Sequence, residues 1–117
     1  MTREEIFTYV ADQYGTEPEY LWAKYPGYAV LRNNNGKWYG LVMDVPAQTL
    51  GISTSLDPVD ILVVKCPTEE IDLLTRSAGF LPAYHMSKQH WITLVLDNPA
   101  AAKQAFSFLD ASIRLTA

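Results

Sequence analysis

The amino-acid sequence predicts an α+β fold: a mainly antiparallel sheet with a helix at each chain end and one more after the fourth strand. Apolar residues recur at helical spacing near both ends of the chain, starting at Ile6 and at Ala102. Between them, two β-type segments flank the sequence NNNG at residues 33–36, a turn that is typical of hairpins and therefore of antiparallel strands. The length of 117 residues fits one compact domain spanning residues 1–117.

The first helix has a defined beginning and end. Thr2 at the N-cap and Glu5 three residues later predict a capping box, in which each side chain bonds a free backbone N–H. Gly15 supplies the left-handed residue that ends the helix. The apolar stripe of this helix consists of Ile6, Phe7, Val10, Ala11 and Tyr14.

Three strands are predicted next: a short one at residues 20–22, then a hairpin of residues 27–32 and 37–45. Pro26 and Gly27 suit the two central positions of a type II turn before the hairpin. Alternation along the second hairpin strand assigns Tyr39, Leu41 and Met43 to one face and Trp38, Gly40, Val42 and Asp44 to the other. Because both faces carry apolar residues, we expect the sheet to be covered on both sides or to pack against a partner.

The second half of the chain alternates between strands and helices. Residues 46–58 predict a loop with one helical turn near 47–50, and the β-branched segment 59–65 predicts a central strand. A helix begins at Pro67 and ends at Gly79, after which residues 80–89 have no regular pattern. Residues 90–96 alternate as a strand. Asn98 and Pro99 then open the last helix as N-cap and first helical residue.

Composition limits the possible functions. The chain is 49% apolar and 19% charged, which excludes a disordered protein, and no apolar run approaches the roughly 18 residues of a membrane span. The single cysteine, Cys66, excludes an internal disulfide, and the first residues do not resemble a secretory signal. We therefore expect a cytoplasmic protein that does not contact a membrane. The net charge of −4 disfavours nucleic-acid binding.

Catalytic and cofactor motifs are weak. The six glycines do not have a phosphate-binding spacing, so no cofactor is expected. His85 and His90 are five residues apart, a spacing that does not favour a shared metal ion, so no metal site is expected. Cys66 follows a strand and precedes a helix, where it could be a nucleophile paired with a histidine or a small buried core residue. The core role is favoured, and we expect no enzymatic activity.

Charge is unevenly distributed along the chain. Residues 20–43 and 73–96 contain no Asp or Glu but carry five Lys or Arg residues and many aromatic residues. If the two segments meet in space, they form a surface with cations for phosphates and rings for bases. The candidate contact residues are Arg32, Lys37, Trp38, Tyr84, His85, Lys88, His90 and Trp91.

Four segments resemble the MmcQ/YjbR family of small bacterial proteins over essentially the whole chain. They are residues 25–30, 35–39, 60–66 and 84–93, and the sequence HMSKQHW at residues 85–91 is the most specific. The resemblance implies an α+β fold of the double-wing type and DNA binding through paired wing-like loops. The family pattern often has arginine where this chain has Gln89 and asparagine where it has Ser87.

Two kinds of partner therefore remain. The resemblance favours DNA and a regulatory role. The alternative is a non-catalytic protein-interaction or adaptor module, because three Trp and seven Tyr residues are more than a core of this size needs, and aromatic residues dominate interfaces. In that case the partner is another protein or a second copy of this chain.

Overall fold

A computed structural model describes residues 1–117 as a five-stranded sheet and four helices. The elements in chain order are α1 (Arg3–Tyr14), β1 (Ala29–Arg32), β2 (Trp38–Pro46), β3 (Pro58–Lys65), α2 (Thr68–Leu74), β4 (Phe80–Pro82), β5 (Trp91–Val95), α3 (Pro99–Ala102) and α4 (Ala105–Leu115). All neighbouring strands pair antiparallel, in the order β1-β2-β3-β5-β4. The predicted fold class is confirmed. No helix is long and apolar enough to span a membrane.

The sheet separates two hydrophobic cores. The first lies on the face covered by the helices, which we call the helix face, and includes Ile6, Leu62 and Leu109. The second lies on the opposite face, which we call the loop face because Trp22, Leu50, Tyr84 and Met86 from connecting segments pack on it. The expectation that both sides of the sheet are covered is confirmed, with chain segments rather than a partner supplying much of the second cover.

Helix α1 has the predicted boundaries. Thr2 and Glu5 form the capping box, and Gly15 ends the helix with φ of 66°. Arg3 attaches the helix to the sheet by donating to both carboxylate oxygens of Asp60, at 2.9 and 3.1 Å, and to the carbonyl oxygen of Gly27 at 2.8 Å. Of the predicted stripe, only Ile6 and Val10 are fully buried.

Gly27 has a different role from the one predicted. It lies in a hydrogen-bonded turn, but its φ is not positive, so the type II turn that would require a left-handed glycine is absent. A side chain at this position would collide with the carboxylate of Asp44. Glycine is therefore needed here for the close approach of a neighbouring strand.

A β-bulge at the start of β2 reverses the predicted faces of two aromatic residues. Arg32 pairs with Trp38 but Leu31 pairs with Gly40, so Tyr39 is an extra residue in the ladder. The bulge places Trp38 on the loop face and Tyr39 on the helix face. Strict alternation predicted Tyr39 together with Leu41 and Met43, and this assignment was wrong because the extra residue changes the register.

A serine hydroxyl extends the sheet where the ladder between β2 and β3 stops. The last pair is Gly40 with Val64, so Tyr39 and Lys65 would be next. Instead, buried Ser112 of α4 accepts from the Lys65 amide at 2.9 Å and donates to the Tyr39 carbonyl oxygen at 2.6 Å. The last helix is thus hydrogen-bonded into the sheet.

Four elements differ from the sequence prediction. Residues 20–22 are not a strand; only Glu19 forms an isolated bridge, with Val30. The segment predicted as irregular contains the edge strand β4, which lacks a visible pattern because it has three residues. The last helix is divided into α3 and α4, and the second predicted helix ends at Leu74 rather than Gly79.

Candidate functional site

The two acid-free segments of the sequence meet on the loop face, around one open cleft. The cleft has a volume of about 280 Å³. Its lining comes from residues 22–43 and from the loop before β5, and consists of Trp22, Tyr25, Tyr28, Trp38, Leu41, Met43, His85 and Met86. No acidic side chain contributes to this lining. We call this feature the aromatic cleft.

The rings of the aromatic cleft pack against one another in fixed geometries. Tyr25 is stacked on Tyr28, with ring centres 4.7 Å apart and planes 12° from parallel. Trp22 meets Tyr28 and Trp38 edge to face, at 6.1 and 5.9 Å. These are the favourable arrangements of aromatic pairs, so the walls hold their shape without a ligand. Tyr25 is 50% exposed and presents an open ring at the cleft.

The tyrosine hydroxyl inside the cleft stays neutral. Burial raises the pKa of Tyr28 to about 12, and the neighbouring Tyr84 hydroxyl adds to the effect. Because the phenol keeps its proton through the physiological range, Tyr28 itself adds no negative charge to the cleft. The charge of the Asp44 carboxylate also contributes to the raised pKa of Tyr28, so one anion acts near the cleft although no acidic residue lines it.

His85 projects from a loop with an unusual backbone. It is the one non-glycine residue with positive φ, 60°, a conformation that histidine tolerates better than most residues. Its ring lies 4.1 Å from that of Tyr84, tilted by 56°, and its nitrogens have no hydrogen-bond partner in the protein. The loop is held by Tyr84 N–H, which donates to Thr93 Oγ1 at 3.0 Å, and by Lys88 Nζ, which donates to the Ala83 carbonyl oxygen at 3.0 Å.

A second cavity adjoins the aromatic cleft at His85. Its volume is about 270 Å³, and its lining includes Tyr84, His85 and Lys88 together with Leu50. Lys88 has no carboxylate partner, so this cavity carries a free positive charge. The two cavities share one lining residue, His85.

The structure brings part of the predicted contact set together and separates the rest. Trp38 and His85 line the aromatic cleft, and Tyr84 and Lys88 line the adjoining cavity. Trp91 packs in the loop-face core. His90 is elsewhere: its Nδ1 lies 3.2 Å from Thr68 Oγ1, and its carbonyl oxygen accepts from the Cys66 amide. His90 therefore supports the start of α2.

The five Lys and Arg residues of the two acid-free segments differ in whether they are paired with a carboxylate. Arg32 is paired with Glu19 at 3.0 Å and Arg76 with Asp72 at 3.0 Å, so neither offers a free charge. Lys24, Lys37 and Lys88 have no carboxylate partner. Lys24 precedes Tyr25 and Lys37 precedes Trp38, so each free lysine of the hairpin region is next to a cleft residue.

The hairpin tip itself is attached to the last helix. The Asn33 side chain donates to the Ile113 carbonyl oxygen at 3.0 Å, and the Asn35 side chain donates to the Thr116 carbonyl oxygen at 2.7 Å. These bonds satisfy carbonyls at the end of α4. The side chains of these two turn asparagines are thus used within the fold.

Six residues that line the cleft are not in the predicted contact set: Trp22, Tyr25, Tyr28, Leu41, Met43 and Met86. Trp22 lies in the segment that was wrongly predicted as a strand. Leu41 and Met43 are indistinguishable in sequence from ordinary strand residues. The one available signal was a tryptophan in a segment without apolar periodicity, where a core role is not required.

Cys66 has the surroundings of a core residue. It is 3% exposed and lies in the helix-face core. Burial raises the pKa of its thiol to about 11, and Glu70 and Glu69 add to the effect. A nucleophilic cysteine needs the opposite shift, so these surroundings disfavour the alternative of a catalytic thiol. No three His, Cys, Asp or Glu side chains come together in a geometry that could hold a metal ion.

Comparisons with known proteins agree with the fold. The model of the family described as YjbR matches residues 11–115. The chain is 44% identical to the uncharacterized protein YyaQ of Bacillus subtilis (strain 168), over 99% of this chain and 98% of that protein. A crystal structure of a Pseudomonas syringae protein is 41% identical with a TM-score of 0.94, and all of both chains is covered.

A more distant structure, of a Deinococcus radiodurans protein, is 20% identical and shares the fold with a TM-score of 0.72, over 97% of this chain and 77% of that chain. The high identities over full length confirm the resemblance seen in the sequence. This chain belongs to the YjbR family.

Proposed function

We propose that the protein is a non-catalytic nucleic-acid-binding protein, with DNA as its ligand, and that it makes contact through the aromatic cleft. The observation that carries the proposal is the meeting of both acid-free segments at one cleft whose lining has four aromatic rings and no acidic group. Rings that stack on bases and lysines that neutralise phosphates are the two components of such a surface. The proposal includes a cytoplasmic location, where a lone thiol stays reduced.

Stacking rather than charge dominates the expected affinity. Three free lysines, Lys24, Lys37 and Lys88, neutralise at most three phosphates, so log K should fall with log salt with a slope of at most about −2 to −3. The net charge of −4 lowers the attraction further. By contrast, one base stacked on an aromatic side chain contributes about 1–3 kcal/mol.

The test is fluorescence anisotropy of labelled DNA oligonucleotides across a salt series. Tyr25→Ala removes the half-exposed ring of the cleft and should weaken binding about fivefold or more. Tyr20→Ala is the matched control, because Tyr20 is 56% exposed but does not line the cleft. Equal losses for the two variants would contradict the assignment of the cleft.

The cations supply an independent comparison. Lys37→Ala should reduce the salt slope by about one, whereas Lys103→Ala, in the helical layer, should leave it unchanged. Arg32→Ala should have a smaller effect than Lys37→Ala because Glu19 already neutralises Arg32. Absence of DNA binding at low salt would overturn the proposed function.

A second function is favoured by a specific observation. The segment between α1 and β1 exposes Tyr20, Leu21 and Tyr25 at 56, 48 and 50%, a run of large apolar side chains beside the cleft. Such a surface also suits contact with a protein, including a second copy of this chain. Sedimentation analysis tests whether this surface mediates self-association. A dimer that Leu21→Lys dissociates would favour this function, and a monomer at all concentrations would exclude self-association.

A further inference from the structure

We infer that the aromatic cleft takes up a single unstacked base, so that the protein selects single-stranded over double-stranded DNA. This inference rests on the proposed function and makes it more specific. It concerns which part of the nucleic acid enters the protein, and not only which surface the nucleic acid covers.

The size of the cleft is sufficient for one base. Its volume of about 280 Å³ lies just below the roughly 300–1,000 Å³ that is usual for binding sites of larger ligands. The cleft therefore has room for a single planar ring system.

The chemistry of the walls suits a flat aromatic group. Seven of the eight lining residues are hydrophobic, and four of them carry rings. Met43 and Met86 add flexible thioether side chains, which make favourable contacts with aromatic rings. The exposed ring of Tyr25 continues the stack with Tyr28 outward, so it can support a second base outside the cleft.

His85 supplies the polar group that an inserted base needs. It is the only cleft residue outside the hydrophobic seven, and its ring nitrogens have no partner within the protein. An imidazole can donate and accept at the hydrogen-bonding edge of a base. His85 also lines the adjoining cavity together with Lys88, so a sugar-phosphate chain that passes from the aromatic cleft into this cavity would meet a cation.

A base-paired duplex cannot use this cleft without disruption. A base inside a duplex must be unpaired and unstacked before it can leave the helix, which costs several-fold to many-fold in affinity. A single strand has no such cost. The cleft geometry therefore predicts tighter binding of single-stranded than of double-stranded DNA, although both ligands carry negatively charged phosphates.

The experiment compares three DNA probes of equal length in the same anisotropy assay: oligothymidylate, a duplex, and a strand in which central nucleotides are abasic. The abasic strand keeps the phosphates and removes the bases. If one base is inserted, its loss should weaken binding by about 5-fold to 150-fold, and the duplex should bind more weakly than oligothymidylate. Oligothymidylate should also quench the fluorescence of the cleft tryptophans.

Two substitutions at one position separate chemistry from backbone strain. His85→Gly keeps the positive φ without strain and removes the imidazole, so it should weaken oligothymidylate binding several-fold. His85→Asn also tolerates this conformation and keeps a donor and an acceptor, so it should retain most of the affinity. Equal affinities of both variants and the native protein would overturn the role of His85.

The outcomes distinguish this inference from the function on which it rests. If the abasic strand and the duplex bind as well as oligothymidylate, the protein binds DNA through its backbone and base insertion is wrong. If no probe binds, the proposed function fails together with the inference. Base-dependent binding that is lost in Tyr25→Ala but kept in Tyr20→Ala supports both.

Discussion

Replacing Ser112 by alanine removes two hydrogen bonds that join the last helix to the sheet. The hydroxyl links the Lys65 amide and the Tyr39 carbonyl oxygen, at 2.9 and 2.6 Å, where the ladder between β2 and β3 has ended. Tyr39 is fully buried, so its carbonyl is left unpaired at a cost of about 1–3 kcal/mol. Lys65 is only half-buried and can recruit water, so its amide adds about 1 kcal/mol.

The expected loss for Ser112→Ala is therefore about 2–4 kcal/mol in the free energy of unfolding. In urea the midpoint should fall by about 1–2 M, given a slope that is usual for a small domain. Hydrogen exchange of the Lys65 amide should accelerate in the variant. The control is Ser107→Ala on the same helix, whose side chain is exposed and makes no hydrogen bond, so stability should change by less than about 0.5 kcal/mol.

A loss below about 0.5 kcal/mol in Ser112→Ala, or equal losses in both serine variants, would refute the role of the hydroxyl as a bridge. Because a loss of global stability accelerates exchange of all core amides, an acceleration at Lys65 no greater than that of the other β3 amides would indicate general loosening instead. Either result would mean that apolar packing of α4, and not the two hydrogen bonds, holds the helix in place.

Three further predictions concern glycine, cysteine and tyrosine. In urea unfolding, Gly79→Ala should destabilise the protein by about 1–3 kcal/mol more than Gly51→Ala. Both glycines have positive φ, but only at Gly79 would an added Cβ collide with a neighbour, the Cβ of Ala101 at 2.7 Å. Equal losses would contradict this packing. Alkylation of Cys66 at pH 8 should be at least about 100-fold slower in the folded than in the urea-unfolded protein. Burial raises the pKa of the thiol from 9.0 to about 11, which lowers the fraction of the reactive thiolate. Equal rates would show that the thiol is accessible. The pKa of Tyr28 and that of Tyr14 are raised to about 12 from 10.0, by burial and by the hydrogen bond to Asp110 respectively, so the folded state holds these protons more tightly. Stability from this source is complete below pH 10 and declines as the pH rises toward 12, by at most about 2–3 kcal/mol for Tyr28; a urea midpoint that stays constant from pH 9 to 11 would contradict it.

Local patterns account for the parts of the fold that could be predicted. The capping box of Thr2 and Glu5, the left-handed Gly15 and the Asn98 N-cap all depend on residues within a few positions of one another. The central strand β3 was predicted from its β-branched residues, and its two faces divide as alternation requires. Such features are encoded locally, so a single sequence contains them.

The candidate site could be predicted only in outline. The acid-free segments pointed to the correct region, and Trp38 and His85 lie in the aromatic cleft. The partner of Arg32 could not be predicted, because Glu19 comes from the segment before β1 and meets it only through the bridge with Val30. His90 shares a motif with His85 but lies against Thr68, because a turn closed by the His90 and Trp91 amides on the Ser87 carbonyl oxygen separates the two histidines.

Fold class, family membership and the aromatic, acid-free character of the site follow from the sequence, because propensity, capping and composition act over short distances. Which aromatic residues share a cleft depends on the tertiary structure. The bulge at Tyr39 moves that ring to the helix core and turns Trp38 toward Trp22, a change that depends on pairing with β1. The tertiary structure also decided which cations are free, because ion pairing depends on distances between residues that are remote in the chain. What began as two acid-free stretches of sequence is thus one cleft with an uncharged aromatic wall.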